Sequence, residues 1–249
     1  MLKILLSGAG GAMGKNVYAA AQNMENCEVV AGVDSKPTPA DFPVYKDFSS
    51  VKETADVVID FSNVSNLENL LSYCLKNKCP AVIATTGFSE KQLDDIKLAA
   101  REIPIFKTAN FSLGVNVLCA LVSRAAKMLC GFDVEIIEKH HHNKVDAPSG
   151  TALMLAEAVN EAADNTLHYE FDRHSKRAKR EKTEIGIHSI RGGSIVGEHD
   201  VLFAGEGEVI TLSHNAESRS VFAVGALKAA EFIVGCKPGL YNMDDLLKL

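Results

Sequence analysis

The chain has 249 residues, of which 47% are hydrophobic and 23% are charged, and its formal net charge is −6. These values are typical of a folded globular protein with room for one large domain or two modest ones, and the acidic balance argues against a nucleic-acid surface as its main partner. The apolar run after Met1 is too short for a signal peptide, and no apolar run of about 18 residues follows, so we expect a cytoplasmic protein that does not associate with membranes.

The six cysteines lie within apolar runs and form no CxxC pair. Free cysteine is most often a small core residue in a reducing compartment. We therefore predict buried, reduced thiols.

The first 110 residues alternate short apolar runs with helical stretches. Strand candidates are the runs 2–7, 28–34, 55–61, 80–86 and 103–109. Strands separated by single helices indicate βαβ units, and near-continuous apolar strands indicate a parallel sheet that is covered on both faces. The pattern predicts a doubly wound α/β domain.

A glycine-rich stretch, SGAGGAMG, joins the first strand to the first helix. At such a junction the pyrophosphate of a dinucleotide can bind the free backbone N–H groups of the helix start. The glycines fall at Gly8, Gly11 and Gly14, and Met13 takes the third glycine position of the usual GxGxxG spacing. A purely structural tight turn is therefore the alternative to a cofactor site.

Asp34 ends the second predicted strand, twenty residues after Gly14. A carboxylate at this position can accept hydrogen bonds from the ribose hydroxyls of NADH. Lys36, two positions later, could instead neutralise the 2′-phosphate of NADPH, so both cofactors stay open. Without a cofactor, Asp34 would merely begin a turn.

Two short polar segments, ATTGF and TANFS, follow the last two strand candidates of this region. They lie at the carboxyl ends of parallel strands, the edge at which open α/β sheets bind ligands, and should face the nicotinamide half of a cofactor. Thr85, Thr86, Gly87 and Asn110 offer short polar groups there. Ordinary strand-end turns would explain the same residues.

After residue 111 the pattern changes to that of an α+β domain. A long amphipathic helix precedes a strand, 133–141, on which Val134, Ile136 and Glu138 share one face. A second helix follows, with Pro148 at its opening. The final helix predicted, SVFAVGALKAAEFIVG at 220–235, is apolar on nearly all faces, so we expect it to be buried and to pack on the first domain.

Turn and charge signals divide the region between these helices. Gly192-Gly193 and the GEGE stretch at 205–208 are typical of β-hairpins, which predicts a largely antiparallel sheet. The charge run RHSKRAKREK at 173–182 is predicted to be a solvated loop, with a nucleic-acid patch as the minority alternative.

The stretch EKHHHNKVDAPSGTA, residues 138–152, gathers many proton carriers and anion ligands. Strand alternation would point His140 and His142 to one face and His141 to the other, unless a bend at the strand end turns neighbours toward one pocket. Zinc usually takes separated ligands with help from Cys or carboxylates, and that spacing is missing, so a metal site and a polar surface strand are the weaker alternatives.

These residue types suit a small polyanion. A histidine can donate or accept a proton near neutral pH, and Lys144 carries a positive charge that can pair with a carboxylate. The helix start that follows presents backbone N–H groups at Gly150 and Thr151, which also suit a carboxylate. The stretch therefore predicts an acid–base site beside an anion pocket.

This stretch, together with GAGGAMG, ATTGF and NFSLGVNV, resembles the dihydrodipicolinate reductase family, also called 4-hydroxy-tetrahydrodipicolinate reductases, of the diaminopimelate route to lysine. The resemblance covers essentially the whole chain in the family's order and spacing. It implies a Rossmann-like dinucleotide-binding domain of residues 1–111 and 220–249. Residues 112–219 would form an α+β domain, with a mainly antiparallel sheet, for substrate binding and oligomerisation into a homotetramer.

The resemblance also implies roles for individual residues, carried over by position. His140 would be a proton donor or acceptor and Lys144 a proton donor, while His141, Gly150 and Thr151 would contact the cyclic dicarboxylate substrate. No metal is implied. The matching cofactor contacts are Gly8, Ala9, Gly10, Gly11, Ala12, Met13, Asp34, Ala84, Thr85, Thr86, Thr108, Ala109, Asn110 and Phe111.

The implied reaction is reduction of 4-hydroxy-tetrahydrodipicolinate by NADH or NADPH to tetrahydrodipicolinate with loss of water, in a site that the domains close. The chain departs from the family at Ala84, where many members have glycine, and at His142 and Asn143, which replace other polar residues. Another oxidoreductase, for example one acting on an amino-acid semialdehyde, would need a catalytic cysteine that the strand-to-helix loops lack. A nicotinamide sensor without chemistry would not need His140 and Lys144.

Overall fold

The computed structural model of the protein describes residues 1–36 and 39–248. The chain divides into two compact units, Met1–Leu113 with Arg219–Leu249 and Gly114–Ser218. Leu249, the last residue of the predicted dinucleotide-binding domain, lies outside the described residues. Among the helices of the described ranges, none has both the length and the apolar character that crossing a membrane requires.

Twelve strands and seven α-helices follow one another along the described residues. In chain order they are β1 (Leu2–Ser7), α1 (Ala12–Ala21), β2 (Cys27–Val33), β3 (Val44–Tyr45), β4 (Val57–Asp60), α2 (Leu67–Asn77), β5 (Ala81–Ile83), α3 (Glu90–Ala99), β6 (Pro104–Lys107), α4 (Leu113–Met128), β7 (Asp133–His140), α5 (Gly150–Ala162), β8 (His168–Glu170), β9 (Glu184–Arg191), β10 (Gly197–Ala204), β11 (Val209–Ala216), α6 (Ser220–Ile233), β12 (Gly239–Tyr241) and α7 (Met243–Leu247).

The first unit is built on a seven-stranded sheet in the order β12-β6-β5-β4-β1-β2-β3, and all its pairings are parallel. Ile4 and Leu6 of β1 pack with residues of α1 and α6, whereas Leu5 packs with residues of α2 and α3. Successive side chains of a strand point to opposite faces, so a strand that is apolar throughout requires helices on both sides. The predicted doubly wound parallel sheet is confirmed.

The strands that lead to the ligand edge of this sheet are shorter than predicted. β4 covers Val57–Asp60 and β5 only Ala81–Ile83, against predicted runs of 55–61 and 80–86. The chain leaves the sheet at Asp60 and Ile83, so the polar segments that follow belong wholly to loops. An apolar run overestimates the length of a strand when the apolar residues at its ends pack in the core without forming strand hydrogen bonds.

The second unit is built on a five-stranded sheet in the order β11-β10-β7-β9-β8. β10 pairs antiparallel with β11 and with β7, whereas β9 pairs parallel with β7 and with β8. The antiparallel pairings join more residues than the parallel ones, so the predicted mainly antiparallel α+β class holds. Helices α4 and α5 cover one face, where Val122, Leu155 and Ile136 belong to one buried cluster.

One of the two predicted hairpins is wrong. The 205–208 stretch joins the paired strands β10 and β11, as expected. Gly192-Gly193 does not form a hairpin, because β7 lies between β9 and β10 in the sheet. A turn signal describes the local bend, whereas β7, about fifty residues earlier in the chain, inserts between the two strands that the turn connects.

Two smaller expectations need correction. The 173–182 run is a loop, as predicted, but Arg180 is not solvated: its Nη2 donates to the carbonyl oxygens of Val134, at 3.0 Å, and Glu184, at 2.6 Å. Three cysteines are buried, but Cys130 is exposed. It follows the last turn of α4, where the apolar periodicity no longer faces the core.

Candidate active site

The glycine-rich loop after β1 has a backbone that only glycine fits. Gly8 has a φ of +80°, and a Cβ there would lie 2.5 Å from the carbonyl oxygen of Phe61. A Cβ on Gly14 would lie 2.3 Å from the carbonyl oxygen of Gly8, so α1 packs directly against the loop. Gly11 is the N-cap of α1, and no side chain of the described residues caps it. The first turn of α1 thus offers its N–H groups to an anion.

Asp34 connects the end of β2 to this loop. Its Oδ2 accepts a hydrogen bond from the backbone N of Gly10, at 2.9 Å, and its Oδ1 accepts one from the backbone N of Lys36, also at 2.9 Å. The hydrogen bond from Lys36 stabilises the turn that the sequence analysis gave as an alternative role of Asp34. The hydrogen bond from Gly10 connects the carboxylate to the glycine loop. Both structural roles leave lone pairs on the carboxylate for a ribose hydroxyl.

A cavity of about 280 Å³ opens beside Gly8, Gly11 and Asp34. Seven of its lining residues were not predicted as site residues; two are the apolar Val33 and Phe61, and five are polar: Ser35, Lys46, Ser62, Asn63 and Asn66. Ser62, Asn63 and Asn66 follow β4, and Lys46 follows β3, at the same edge of the parallel sheet. A polar residue just after each strand was the signal that could have identified them.

The buried carboxylate of Asp60 organises the rim formed by the ends of β4 and β5. It accepts hydrogen bonds from Ser62 Oγ, at 2.6 Å, and Thr85 Oγ1, at 2.7 Å. The Thr85 hydroxyl therefore points inward, while Thr86 and Gly87 after it are exposed and Ala84 before it is half-buried. Thr85 therefore supports this rim through its side chain, whose hydroxyl proton is held by Asp60.

The TANFS loop is fixed by internal hydrogen bonds and by one aromatic anchor. Thr108 Oγ1 donates to the carbonyl oxygen of Asn110, at 3.3 Å, and Asn110 Oδ1 accepts from the backbone N of Ser112, at 2.8 Å. Phe111 is buried in ring contact with neighbouring phenylalanines, and a Cβ on Gly225 would lie 1.7 Å from its carbonyl oxygen. Phe111 is thus a packing residue, and the exposed Ala109 is the part of the loop open to a ligand.

These residues fit a nicotinamide dinucleotide. The uncapped start of α1 suits a pyrophosphate, Asp34 suits a ribose, and the cavity is lined by short polar side chains at the carboxyl ends of parallel strands. Gly8, Gly10, Gly11 and Asp34 would hold the phosphates and the ribose. Exposed groups of the loops after β5 and β6 would border the nicotinamide.

The second unit places Glu138 and His140 side by side at the end of β7. The strand alternates regularly, so both point to the buried face, where Glu138 is 0% and His140 9% exposed. Nδ1 of His140 lies 2.5 Å from Oε2 of Glu138. The strand ends at His140, so the predicted alternation does not reach His142, which is exposed in a turn.

Arg191, which the sequence did not suggest, closes this cluster from β9. In the parallel pairing of β7 and β9, His140 is the register partner of Arg191. Nη1 of Arg191 donates to Oε2 of Glu138, at 2.8 Å, and Nη2 to Oε1, at 2.7 Å. The sequence analysis placed Glu138 on the same strand face as Val134 and Ile136. A charged residue on a buried face needs a partner of opposite charge, but no local sequence pattern indicated that the partner is Arg191.

Burial and pairing pull the pKa values of these groups in opposite directions. Burial raises the pKa of Glu138, but hydrogen bonds from Arg191, Ser189 and His140 outweigh it and hold that pKa at about 2. Burial lowers the pKa of His140 below its usual range, and the Glu138 carboxylate opposes that shift. Glu138 is therefore an anion at neutral pH.

Lys144 returns beside the strand end through a tight turn. Its backbone N donates to the carbonyl oxygen of His141, at 3.1 Å, and its Nζ pairs with Oδ1 of Asp146 at 2.8 Å. Lys144 and His141 are half-buried. Lys144 contributes to the electrostatic lowering of the pKa of His140. The predicted proton carriers His140 and Lys144 thus lie at the end of β7 and in the turn that follows it.

The start of α5 completes the cluster. Ser149 is its N-cap: Oγ accepts from the backbone N of Ala152, at 3.2 Å, and the Ser149 backbone N donates to Oε1 of Glu138, at 3.2 Å. Gly150 is exposed, and apart from its chain neighbours and the backbone of its own helix no described atom lies within 4 Å of where its Cβ would be. Thr151 is half-buried beside it. This open helix start can accept a carboxylate.

His199 of β10 is a further residue that the sequence analysis missed. It is 3% exposed, its Nε2 lies 3.0 Å from Ser149 Oγ, and its ring centroid lies 5.2 Å from that of His140. Burial lowers the pKa of His199 to about 4, so the ring is neutral. In β10 it alternates with Val201 and Phe203 on the buried face, and that alternation was the available signal.

The histidine stretch does not form the candidate metal cluster of the described residues. A different group, His168, Glu181 and Glu184, has ligand atoms within 4.8 Å of one another. Glu184 is already paired with Arg173, at 2.5 Å. Exposed acidic groups of this kind are common without an ion.

Comparisons with known proteins cover both units. The family description "Dihydrodipicolinate reductase, N-terminus" matches residues 2–111, and "Dihydrodipicolinate reductase, C-terminus" matches residues 114–247. A curated 4-hydroxy-tetrahydrodipicolinate reductase from Caldanaerobacter subterraneus subsp. tengcongensis is 56% identical over 248 residues, which cover 100% of this chain and 99% of that protein. One from Clostridium tetani is 49% identical over 249 residues, which cover 99% of this chain and 97% of that protein.

Solved structures agree with these matches. A dipicolinate-bound dihydrodipicolinate reductase from Paenisporosarcina sp. TG-14 has a TM-score of 0.82 and 29% identity, and the match covers 98% of this chain and 99% of that one. The apo scyllo-inositol dehydrogenase from Lactobacillus casei, at a TM-score of 0.62 and 11% identity over 100% of this chain and 92% of that one, shares the fold alone. Over its full length, the chain belongs to the dihydrodipicolinate reductase family of oxidoreductases.

Proposed function

We propose that the protein reduces 4-hydroxy-tetrahydrodipicolinate to tetrahydrodipicolinate, with loss of water, using a reduced nicotinamide nucleotide. The observation that carries the proposal is the cluster of His140, Lys144 and the open start of α5 within one fifteen-residue stretch. Relatives at up to 56% identity bear the name of this reductase, and a related structure has the cyclic dicarboxylate dipicolinate bound. The same chain carries a glycine loop suited to the cofactor.

The first unit binds and orients the cofactor in this proposal. The loop from Gly8 to Met13 and the start of α1 hold the pyrophosphate, and Asp34 accepts hydrogen bonds from a ribose. Thr86 and the backbone of Ala109 border the nicotinamide. When bound, the nucleotide supplies the hydride.

The second unit binds the dicarboxylate and moves the proton. The N–H groups of Gly150 and Thr151 and the His141 side chain bind the carboxylates, and Nζ of Lys144 exchanges its partner Asp146 for the substrate. Lys144 Nζ or His140 Nε2 donates a proton to the ring atom that gains electron density. Closure of the two units during turnover would exclude water from the hydride step.

We further propose that either NADH or NADPH serves as the reductant. Asp34 suits the free ribose of NADH, whereas Lys36 and the cavity-lining Lys46 can neutralise the 2′-phosphate of NADPH. Initial rates measured in parallel with the two nucleotides test this: a rate with only one of them would contradict dual use. The homotetramer and the cytoplasmic location stay predictions.

The function is tested by following the loss of reduced-nicotinamide absorbance with the condensation product of pyruvate and aspartate semialdehyde. His140→Gln and Lys144→Ala should each lower turnover by about 10²- to 10⁴-fold, the usual contribution of general acid–base catalysis. The matched lysine control is Lys78→Ala. It breaks an exposed ion pair between Lys78 and Glu102, both of the first unit, and should leave turnover unchanged. Near-normal turnover in both active-site variants would refute these roles.

A further inference from the structure

The carboxylate of Glu138 is bound on both oxygens by three different elements. Oε2 contacts Nδ1 of His140 and accepts from Nη1 of Arg191, while Oε1 accepts from Nη2 of Arg191 and from the backbone N of Ser149. Arg191 is itself anchored, because its Nη2 also donates to the carbonyl oxygen of Asp146, at 2.6 Å. A carboxylate with four such contacts cannot rotate, so the oxygen that meets His140 is fixed.

This fixed oxygen determines which nitrogen of His140 carries the proton. An ionised carboxylate only accepts hydrogen bonds, so Nδ1 of His140 must be the donor and Nε2 must be the nitrogen available for proton exchange. Nε2 faces Gly197, the first residue of β10. A Cβ at Gly197 would lie 3.1 Å from Nε2 and would crowd it. Glycine at that position therefore keeps a side chain off the exchanging nitrogen.

Charged and titratable groups surround His140 from every element packed against it. Burial lowers the pKa of His140, Glu138 raises it, and Lys144 and Arg191 lower it further. His199 stacks edge-on against the ring and is neutral. Among the described residues these groups are Glu138 on β7, Lys144 and Asp146 in the turn, Arg191 on β9, His199 on β10 and, beyond His199, His214 on β11.

We propose that Glu138, oriented by Arg191, is a positioning residue that holds His140 with Nδ1 protonated, directs Nε2 to the substrate and stabilises the imidazolium form. This inference rests on the proposed function, because it assigns to Glu138 a role that acts through His140. Glu138 does not touch the substrate. Its contribution is the orientation and the proton affinity of the ring that does.

The first test is nitrogen NMR of the histidine rings, which reports tautomer and titration without any turnover. In the double variant Glu138→Gln/Arg191→Met both charges leave together, which limits the loss of stability. The tautomer of His140 should then shift toward Nε2–H, and its titration should move to lower pH. In Arg191→Met alone, studied at a temperature where it is folded, the titration should move to higher pH. Opposite shifts are not expected from a general loosening of the fold.

A matched control uses another carboxylate–histidine pair, formed between Glu135 on β7 and His188 on β9. Glu135 Oε2 lies 2.8 Å from His188 Nε2, so Glu135→Gln should perturb His188 and leave the tautomer of His140 unchanged. The His140→Gln spectrum identifies the His140 signals. An unchanged His140 tautomer and titration in the double variant would overturn the inference.

Kinetics provide the second test. The double variant should lose about 10- to 100-fold in kcat, part of the roughly 10²- to 10⁴-fold that acid–base catalysis contributes, with KM little changed and the basic limb of the pH profile moved down. An unaltered kcat and pH profile would overturn the role in the reaction. Failure of the proposed function gives a different result. In that case the wild-type protein would not turn over the substrate, whereas the NMR spectra would still show the change of the His140 tautomer in the double variant.

Discussion

The candidate ligand sites of the two units are formed by different kinds of groups. In the first unit, the candidate site depends on the shape of the backbone and on isolated polar or charged side chains. Gly8 and Gly14 allow close backbone contacts that a Cβ would block, and the Asp34 carboxylate accepts hydrogen bonds from backbone nitrogens. In the second, the site is a cluster of buried charges in which Glu138 and Arg191 hold each other and His140.

The difference concerns what each site can tolerate. A backbone site fails when atoms are added, because the loop and α1 are already in contact. A site of buried charges fails when one charge is removed, because the remaining charge loses its compensation. Substitutions in the two units should therefore fail in opposite ways, and the following four predictions test this contrast in order of expected effect.

Removing one buried charge should give the largest effect. Arg191→Met leaves Glu138 buried and uncompensated, so the free energy of unfolding should fall by about 3–5 kcal/mol. Urea unfolding at neutral pH measures this. Lys78→Met, in an exposed ion pair, is the control and should change stability by at most about 1 kcal/mol. If the two variants lost equal amounts of unfolding free energy, the buried charge pair of the second unit would be no more important for stability than an exposed ion pair of the first.

Adding one methyl group to the glycine loop should give the next effect. Gly14→Ala forces a Cβ against the carbonyl oxygen of Gly8, so stability should fall by about 1–3 kcal/mol and NADH should bind more weakly. Thermal unfolding and a fluorescence titration with NADH measure the two losses. Gly192→Ala is the control, because apart from its chain neighbours no described residue lies within 4 Å of its Cβ position. Unimpaired NADH binding in Gly14→Ala would contradict the backbone site.

The neutral His199 should make the protein sensitive to mild acid. Its pKa is about 4 when folded and 6.5 when unfolded, so the unfolded chain binds the extra proton between these values. Stability is therefore fully present above pH 6.5 and is lost toward pH 4, by up to about 1.4 kcal/mol per pH unit. His199→Gln should flatten this part of the curve in urea unfolding at several pH values, whereas the exposed His174→Gln should not. An unchanged slope in His199→Gln would contradict the assignment.

The smallest effect is expected at the cofactor cavity. Lys46→Gln should raise KM for NADPH roughly five-fold, as the loss of an exposed ion pair worth about 1 kcal/mol would, and leave KM for NADH unchanged. Lys52→Gln, an exposed lysine of the same unit that does not line the cavity, is the control. Parallel changes for both nucleotides would show that Lys46 does not contact the 2′-phosphate.

Much of the first unit could be predicted because its signals are local. β1, the glycine loop and α1 follow one another directly, and the close contact of Gly14 with the Gly8 carbonyl oxygen lies within that segment. Parallel βαβ units also place the strand ends on one edge, so the loops after β5 and β6 could be assigned without coordinates. Lys46 was missed because β3 has only two residues and carries too little pattern to be recognised.

The second unit could be predicted only where its residues are close in sequence. His140, Lys144 and Ser149 share one stretch, and its composition indicated proton transfer and anion binding. The partners of Glu138 and Ser149 come from β9 and β10, about fifty residues later. The failed Gly192-Gly193 hairpin has the same origin, because the order of strands in a mixed sheet is not a local property.

The sequence by itself determined the longer elements of both units, the glycine loop and the identity of the residues that carry the proposed chemistry. Only the tertiary structure decided that Arg191 and His199 stand beside Glu138 and His140, and that Thr85 turns its hydroxyl inward to Asp60. The physical reason is that periodicity and turn chemistry act over a few residues, whereas compensation of a buried charge depends on which distant strand is brought beside it.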